Sequence, residues 1–296
     1  MPLVRIFCEV DDFCKDFFKQ FKSNLLTNGH NIRKKSFKMS SSEIMTIFLW
    51  YPYSGYKTFK DYYEKHVLVY MQRDFNNLVS YNRFLELRNS LATVLLIFSQ
   101  LKTKSAPCTG ASYIDSYPLE VSHIRRQSSH KTFKDIAAKG KTSVGWFYGF
   151  KLHVVINQHG QILSFCITPG NKADNNAKVL SKLTKRIFGK VYGDKGYILN
   201  PLNFKKFYDN GVHMITKIRK NMKNKLISLT DKYYLKKRGL VESVGAVLKE
   251  DLSLEHSRHR SLLGFLSHIA SVIAAYDFKV KKPGISAPDT PELKIC

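Results

Sequence analysis

Residues 148–168 read YGFKLHVVINQHGQILSFCIT. Two runs rich in Val, Ile and aromatic residues, Tyr148–Asn157 and Ile162–Thr168, flank QHGQ, and the stretch predicts two strands joined as a hairpin. Toward the N-terminus, Ala111 to Asp115 predicts a short strand of its own. Toward the C-terminus the period changes. Asp174 is expected to cap a helix running to about Ile187, and VYGD at 191–194 reads as a fourth strand that closes on a bare carboxylate, Asp194. Pro201 opens a short helix to Tyr208, VHMITKI from Val212 reads as a fifth strand, and a helix follows from about Lys237 to Lys249. Antiparallel strands first and βα crossovers after them predict an α/β fold, a mixed sheet flanked by helices.

Up to Gln100 the pattern is helical. Ser40 to Glu43 has the form of a capping box ahead of IMTIFLWY, which Pro52 stops. A second helix is expected from Thr58 towards Tyr70 and a third from Ser80, where SYNRFLELRNSLATVLLIF carries apolar residues at helical spacing. Lys, Pro, Ser and Gly then gather between Gln100 and Ser112, which is linker chemistry. The expected organisation is a small all-α domain at 1–104, the α/β domain at 105–278 including the last helix, and a disordered tail at 279–296. The apolar run from Leu262, interrupted by Ser267 and His268, is shorter than a bilayer span and reads as a core helix.

The chain of 296 residues carries 48 Lys+Arg against 23 Asp+Glu, a formal net charge of +25. The excess is spread along the chain and interleaved with aromatic residues, so the expected partner is a polyanion, nucleic acid rather than membrane. Five cysteines at positions 8, 14, 108, 166 and 296 show no CxxC spacing, which argues against a zinc site or a disulfide framework and for a reducing cytoplasm. Acids near the N-terminus argue against a signal peptide.

If the strands ending at Asp115 and Asp194 are neighbours, two carboxylates stand side by side, and like charges so close repel unless a cation sits between them. A third acid is expected at Glu242, which shares a stripe with Arg238 and Lys249 on the last predicted helix of the α/β domain. One acid between two bases suits a metal ligand flanked by cations that hold phosphate. Hard oxygen ligands suit Mg²⁺, and paired ions of this kind serve in-line phosphoryl displacement. Each acid alone is more often a turn residue, a helix cap or a surface ion pair, and only the combination points to chemistry.

Several segments together carry a more specific signal: VDDFCKDF (10–17), SYNRF (80–84), IDSYPLEVSHIRR (114–126), SSHKTFKDIAAKGKTSVGWFYGFKLHVVIN (128–157), ITPGN (167–171), YGDKGY (192–197), ITKIRKNMKNK (215–225), RGLVESV (238–244) and EHSRHRS (255–261). The chain resembles a DDE transposase with an RNase H-like catalytic domain, of the insertion sequence 982 family. That resemblance implies Asp115, Asp194 and Glu242 as catalytic, metal-holding acids, Mg²⁺ as cofactor with Mn²⁺ able to substitute, and DNA as partner, both terminal inverted repeats and target. It also implies a dimer or larger assembly, because two element ends are handled together. The activity implied is cutting by water at the element's end, followed by attack of the freed 3′-hydroxyl on target DNA. The alternatives are an RNase H-like nuclease that does not join strands, and an inactive or co-opted DNA-binding remnant. The wider pattern Tyr, two residues, Arg, three residues, Glu, six residues, Lys is met by Arg238, Glu242 and Lys249, whereas Leu235 stands at the Tyr position. Gly245 and Ile124 replace expected polar residues; a mid-helix Gly costs about 0.5–1 kcal/mol relative to Ala and reads as neutral drift or the start of decay.

Basic loops supply the expected DNA contacts. Val121 to Trp146 carries Arg125, Arg126, Lys131, Lys134, Lys139 and Lys141, and Trp146 or Phe147 either stacks on a base or lies in the core beneath Tyr148. Lys217, Arg219 and Lys220 form a second candidate, and Arg258 and Arg260 a third, either as a backbone contact or as a solvated helix start. In the helical domain, RDFNNLVSYNRFLELRNS reads either as a helix-turn-helix with Asn82, Arg83 and Glu86 toward a major groove, or as ordinary bundle structure.

Overall fold

The computed structural model of the chain describes residues 3–27, 38–142, 145–218, 221–222, 226–255 and 259–285. It divides into two compact units.

The first unit comprises residues 1–99, 250–254 and 261–280 and is helical. Its elements are α1 (Leu3–Thr27), α2 (Ser41–Trp50), α3 (Phe59–Tyr62) continued through a π turn into α4 (Leu68–Tyr70), α5 (Tyr81–Ser90) and the first part of α6 (Ala92–Lys104). The capping box is present: Ser40 Oγ accepts from Glu43 N, and Glu43 Oε2 accepts from Ser40 N. Its core joins Ile6, Val10, Phe48, Tyr62, Phe84 and Phe98 to Ala270, Ala274 and Phe278 of the long apolar C-terminal helix. That helix was expected in the α/β domain and instead packs in the helical unit, because its small residues fit against the aromatic bundle. The helix expected from Ser80 breaks at Leu91, where α5 and α6 meet at 61°. No single helix among the described residues is long and apolar enough to cross a membrane.

The second unit holds the sheet, with β1 (Ala111–Ser122), β2 (Ala138–Lys141), β3 (Trp146–Asn157), β4 (Ile162–Pro169), α7 (Ala177–Thr184), β5 (Gly189–Gly193), α8 (Pro201–Asp209), β6 (Val212–Thr216), α9 (Leu229–Lys236) and α10 (Gly239–Ala246). The apolar C-terminal helix of the first unit is α11 (Leu262–Phe278). The strand order is β3-β1-β5-β6, with β2 and β4 both paired to β3. β1, β3 and β4 are antiparallel neighbours, and β5 and β6 run parallel to β1. Three antiparallel strands followed by two parallel crossover strands, with β1 at the centre, is the RNase H-like arrangement. A core of Ile114, Val155, Val191 and Met214 packs against Leu180, Leu183 and Phe207 from the helices.

Two local departures from the sequence reading matter. β1 does not end at Asp115 but runs on to Ser122, because its antiparallel pairing with β3 continues after its parallel pairing with β5 has stopped at Tyr113. Helix α7 is capped by Asn176, whose side chain accepts from Lys178 N and Val179 N, and not by Asp174. Asp174 is thereby freed for other partners.

Candidate active site

Tyr113 of β1 pairs in register with Tyr192 of β5, and Asp115 and Asp194 each lie two residues further on. Parallel strands in register bring equivalent positions level, so two carboxylates meet at the carboxyl ends of β5 and of the paired part of β1. Each strand tip is shaped to hold its acid. Ser116 N donates to Asp115 Oδ1 at 2.9 Å. Gly196 N donates to Asp194 Oδ1 at 2.8 Å in the 3₁₀ turn Lys195–Tyr197, and a Cβ at Gly196 would stand 2.9 Å from that same oxygen.

Asp115 is largely buried. Burial pushes its pKa up to about 6, with the nearby Asp194 charge adding to the rise, while the Arg238 guanidinium and the Ser116 amide oppose it. Arg238 spans two acids: Nη1 lies 3.3 Å from Asp115 Oδ2, and Nη2 lies 2.7 Å from Glu242 Oε1. Glu242 is thus tied to Asp115 through one shared cation, with its own side chain 62% exposed. Among the described residues no three His, Cys, Asp or Glu side chains stand close enough together to hold a metal ion. The donor set nevertheless suits a hard cation at Asp115 and Asp194: two carboxylates, one with its pKa raised by burial, beside the buried Tyr197 hydroxyl.

Helix α10 is seated on β1 by Tyr117, whose hydroxyl donates to Val241 O at 2.5 Å. Gly245 lies against that ring: a Cβ there would stand 2.6 Å from Tyr117 Cε1 and 2.8 Å from Cζ. The glycine that reads as drift or decay in sequence is what lets the Glu242 helix approach the strand that carries Asp115. Lys249 does not continue the Arg238–Glu242 stripe as a 3.6-residue period would have it, because residues Val247–Asp251 form a π turn. Its ammonium pairs with Glu255 at 2.6 Å and lies 5.9 Å from the centre of the Tyr117 ring.

Sequence reasoning missed a fourth acid. Asp174 Oδ1 accepts from Ser116 Oγ at 2.8 Å and from Lys151 Nζ at 3.0 Å, and lies 4.0 Å from His153 Nδ1. Lys151 and His153 are buried on β3, and burial lowers the His153 pKa to about 4, Asp174 opposing. A helix cap and a buried ion-pair partner look alike in sequence, since both are an Asp just before a helix. Tyr197 feels the charges of Asp174, Asp115 and Asp194 together, and burial with those three anions drives its phenol pKa well upward.

The predicted DNA contacts divide. Arg125, Arg126, Lys131, Lys217 and Arg260 are exposed in the second unit, and Arg125 shares a polar hollow with Lys134. Asn82 and Arg83 are exposed on α5 in the first unit, Arg83 paired with Glu86 at 2.6 Å. The stretch before α5 does not form a helix-turn-helix of the usual short turn, since α4 ends at Tyr70 and α5 begins at Tyr81. Arg219, Lys220 and Arg258, and the tail from residue 286, lie outside the described residues.

A family model described as a transposase DDE domain matches residues 105–262. No curated protein matches the chain. Among solved structures, the crystal structure of the Mos1 strand transfer complex is similar at 15% identity, covering 90% of this chain and 86% of that one with a TM-score of 0.23, a likeness too slight to carry an argument. The family match spans more than half of the 296 residues and contains Asp115, Asp174, Asp194 and Glu242, and the chain belongs to the DDE transposases, a family of polynucleotidyl transferases.

Proposed function

We propose that this transposase cuts DNA at the ends of an insertion sequence and joins the freed 3′-hydroxyl to target DNA, with Asp115, Asp194 and Glu242 as its catalytic acids. The observation that carries the reading is the level placement of Asp115 and Asp194 two residues beyond the Tyr113–Tyr192 pair. Carboxylates so placed cost electrostatic energy that a divalent cation relieves, and Asp115 already shows that cost in its raised pKa. Mg²⁺, or Mn²⁺ in its place, held by Asp115 and Asp194 with Glu242 joining, would supply Lewis-acid stabilisation of the attacking and leaving oxygens.

The chain's own residues do the rest. Ser116 N and Gly196 N orient the two aspartates by donating to one oxygen of each, and Arg238 holds the second oxygen of Asp115. Arg238 neutralises Asp115 and Glu242 while the site is empty of DNA, and its guanidinium is suited to take a phosphate oxygen when a strand enters. Arg125, Arg126, Lys131, Lys217 and Arg260 offer exposed cations for backbone contacts, and Asn82 and Arg83 offer contacts from the helical unit; Arg219, Lys220, Arg258 and Lys249 join the proposal on the sequence alone. The expected substrates are the element's terminal inverted repeats and a target duplex, handled by a dimer or larger assembly on DNA in the cytoplasm.

The second reading, a DNA-binding remnant without activity, is favoured by one observation: the described acids do not stand as a ready three-membered cluster. A supercoiled plasmid carrying the gene with its native flanking DNA separates the readings. Cuts at the element's borders that need Mg²⁺ or Mn²⁺, vanish with chelator and vanish in Asp194→Asn support the transposase reading. Border binding with no cutting by folded wild type supports the remnant, and cutting without joined products in a strand-transfer assay supports a nuclease.

A further inference from the structure

The sequence left Trp146 and Phe147 as equivalent candidates for stacking, and strand geometry separates them. Phe147 points inward and is buried, whereas Trp146 is 54% exposed. Phe147 is clamped from two sides: a Cβ at Gly140 would stand 2.6 Å from its ring and one at Gly170 would stand 2.9 Å from it. The same two glycines let the backbones of β2 and of the end of β4 approach so closely that a Cβ at Gly140 would collide with Gly170 O. Phe147 is therefore packed tightly between Gly140 and Gly170, and Trp146, its neighbour at the start of β3, is left exposed.

Two cations stand over the exposed indole. Lys141 pairs across the ladder with Trp146 and Lys139 with Tyr148, so both lysines share the indole's face of the hairpin. Their ammoniums lie 5.5 Å and 4.5 Å from the centre of the Trp146 ring. Both lysines thus present their charge at the indole rather than at a carboxylate described in the structure. An exposed aromatic plate flanked by two cations matches the two parts of a nucleotide: a base to stack and a phosphate to neutralise.

Position within the fold adds the distance to the site. Asp115 is level with Val154 of β3, and Trp146 lies eight residues from Val154 on the side toward which β1 runs past Asp115. At roughly 3.3 Å per residue this is about 26 Å beyond the carboxylates, on the side of the sheet where Asp194 closes β5. At about 3.4 Å per nucleotide of duplex, that span corresponds to roughly eight nucleotides from the site, at the end of which the strand would reach the indole.

The geometry points to Trp146, Lys139 and Lys141 as a binding site for an unpaired stretch of DNA, about eight nucleotides from the bond that is cut. This rests on the reading of the chain as a DNA-cutting transposase and adds where the strand goes and in what form. A base in an intact duplex hides both faces, so the indole selects a strand that is frayed or single at that distance.

The test is binding of a single-stranded oligothymidylate followed by tryptophan fluorescence, read alongside duplex-end binding and plasmid cutting by the same preparations. The chain has two tryptophans, Trp50 and Trp146. Wild type should be quenched on binding, and Trp146→Phe should bind nearly as well with most of the quenching gone. Trp146→Ala should bind about ten- to a hundredfold more weakly at every salt concentration. Lys139→Gln with Lys141→Gln should instead flatten the log–log salt slope by about 1.4. Circular dichroism confirms that each variant is folded. If Trp146→Ala binds the oligonucleotide as tightly as wild type, or quenching survives in Trp146→Phe, the inference is overturned. If wild type neither binds nor cuts any DNA, it is the transposase reading that fails.

Discussion

Asp115 on β1 and Asp194 after β5 stand level because each follows by two residues a tyrosine of the in-register pair Tyr113–Tyr192. The arrangement is costly without a cation, and the cost should be visible in stability. An acid whose folded pKa is near 6 and whose unfolded pKa is near 3.8 binds its proton more tightly when folded. Its contribution is therefore present below pH 4 and is lost as pH rises towards 6, by an amount on the order of 3 kcal/mol. His153 works in the opposite sense, since its lowered pKa makes stability rise over about pH 4 to 6.5. The useful comparison is thus the difference between variants. Asp115→Asn should be more stable than wild type at pH 8 and lose that advantage by pH 4, measured by urea unfolding. Mg²⁺ should raise the melting temperature of wild type at pH 8 and leave Asp115→Asn and Asp194→Asn unmoved; equal shifts in all three would sink the assignment of these acids.

Arg238 gives a second handle on the same charges. Its side chain is 17% exposed and that of Asp115 is 20% exposed, so the pair is shielded from solvent. Removing the guanidinium leaves a poorly solvated carboxylate, which costs about 1–3 kcal/mol when that carboxylate is ionised. Arg238→Gln is accordingly expected to lose about that much at pH 8 and less at pH 5, where Asp115 carries its proton. A loss independent of pH would show that Arg238 acts through packing alone.

Gly245 makes a prediction opposite to the one helix propensity makes. On propensity, Gly245→Ala should gain about 0.5–1 kcal/mol. In the structure the added methyl would meet Tyr117 Cε1 at 2.6 Å, with backbone and ring both fixed by the Tyr117–Val241 hydrogen bond. Overpacking of this kind costs about 1–3 kcal/mol. Gly245→Ala should therefore be destabilised, and Gly245→Ala with Tyr117→Leu should recover part of the loss. A stabilised single variant would return Gly245 to the status of neutral drift.

Alternation and period carried most of the sheet in sequence: the β3–β4 hairpin, β5 ending at Gly193 just before Asp194, and β6 after α8 are all visible as apolar runs between turn residues. Asp115, Asp194 and Glu242 stood out in sequence because two sat after such runs and the third lay between bases, and the structure brings Asp115 level with Asp194 and ties Glu242 to Asp115 through Arg238. What sequence did not show depends on distant partners. The extension of β1 to Ser122 is set by β3, some thirty residues away in the chain. The docking of α11 in the helical unit rests on the fit of Ala270 and Ala274 among aromatic rings, which no periodicity encodes. Asp174 was misread because the true cap, Asn176, stands two residues later and is an equally good one.

That misreading leads to a last prediction. Lys151 is 8% exposed and holds its charge in place through Asp174 Oδ1 at 3.0 Å and Lys172 O at 3.1 Å. Asp174→Asn keeps the shape and removes the charge, so a nearly buried ammonium loses its counterion, at a cost of about 2–3 kcal/mol. If Asp174 were only a helix cap, Asn would serve as well and the variant would match wild type. The double variant Asp174→Asn with Lys151→Met removes both charges and should be less destabilised than Asp174→Asn alone. The coupling between the two positions is then read from a double-mutant cycle in urea. Ser116 also donates to Asp174 while its amide holds Asp115, so the loss should reach the active site. Asp174→Asn is expected to weaken the Mg²⁺-dependent rise in melting temperature without abolishing it, whereas Asp194→Asn abolishes it.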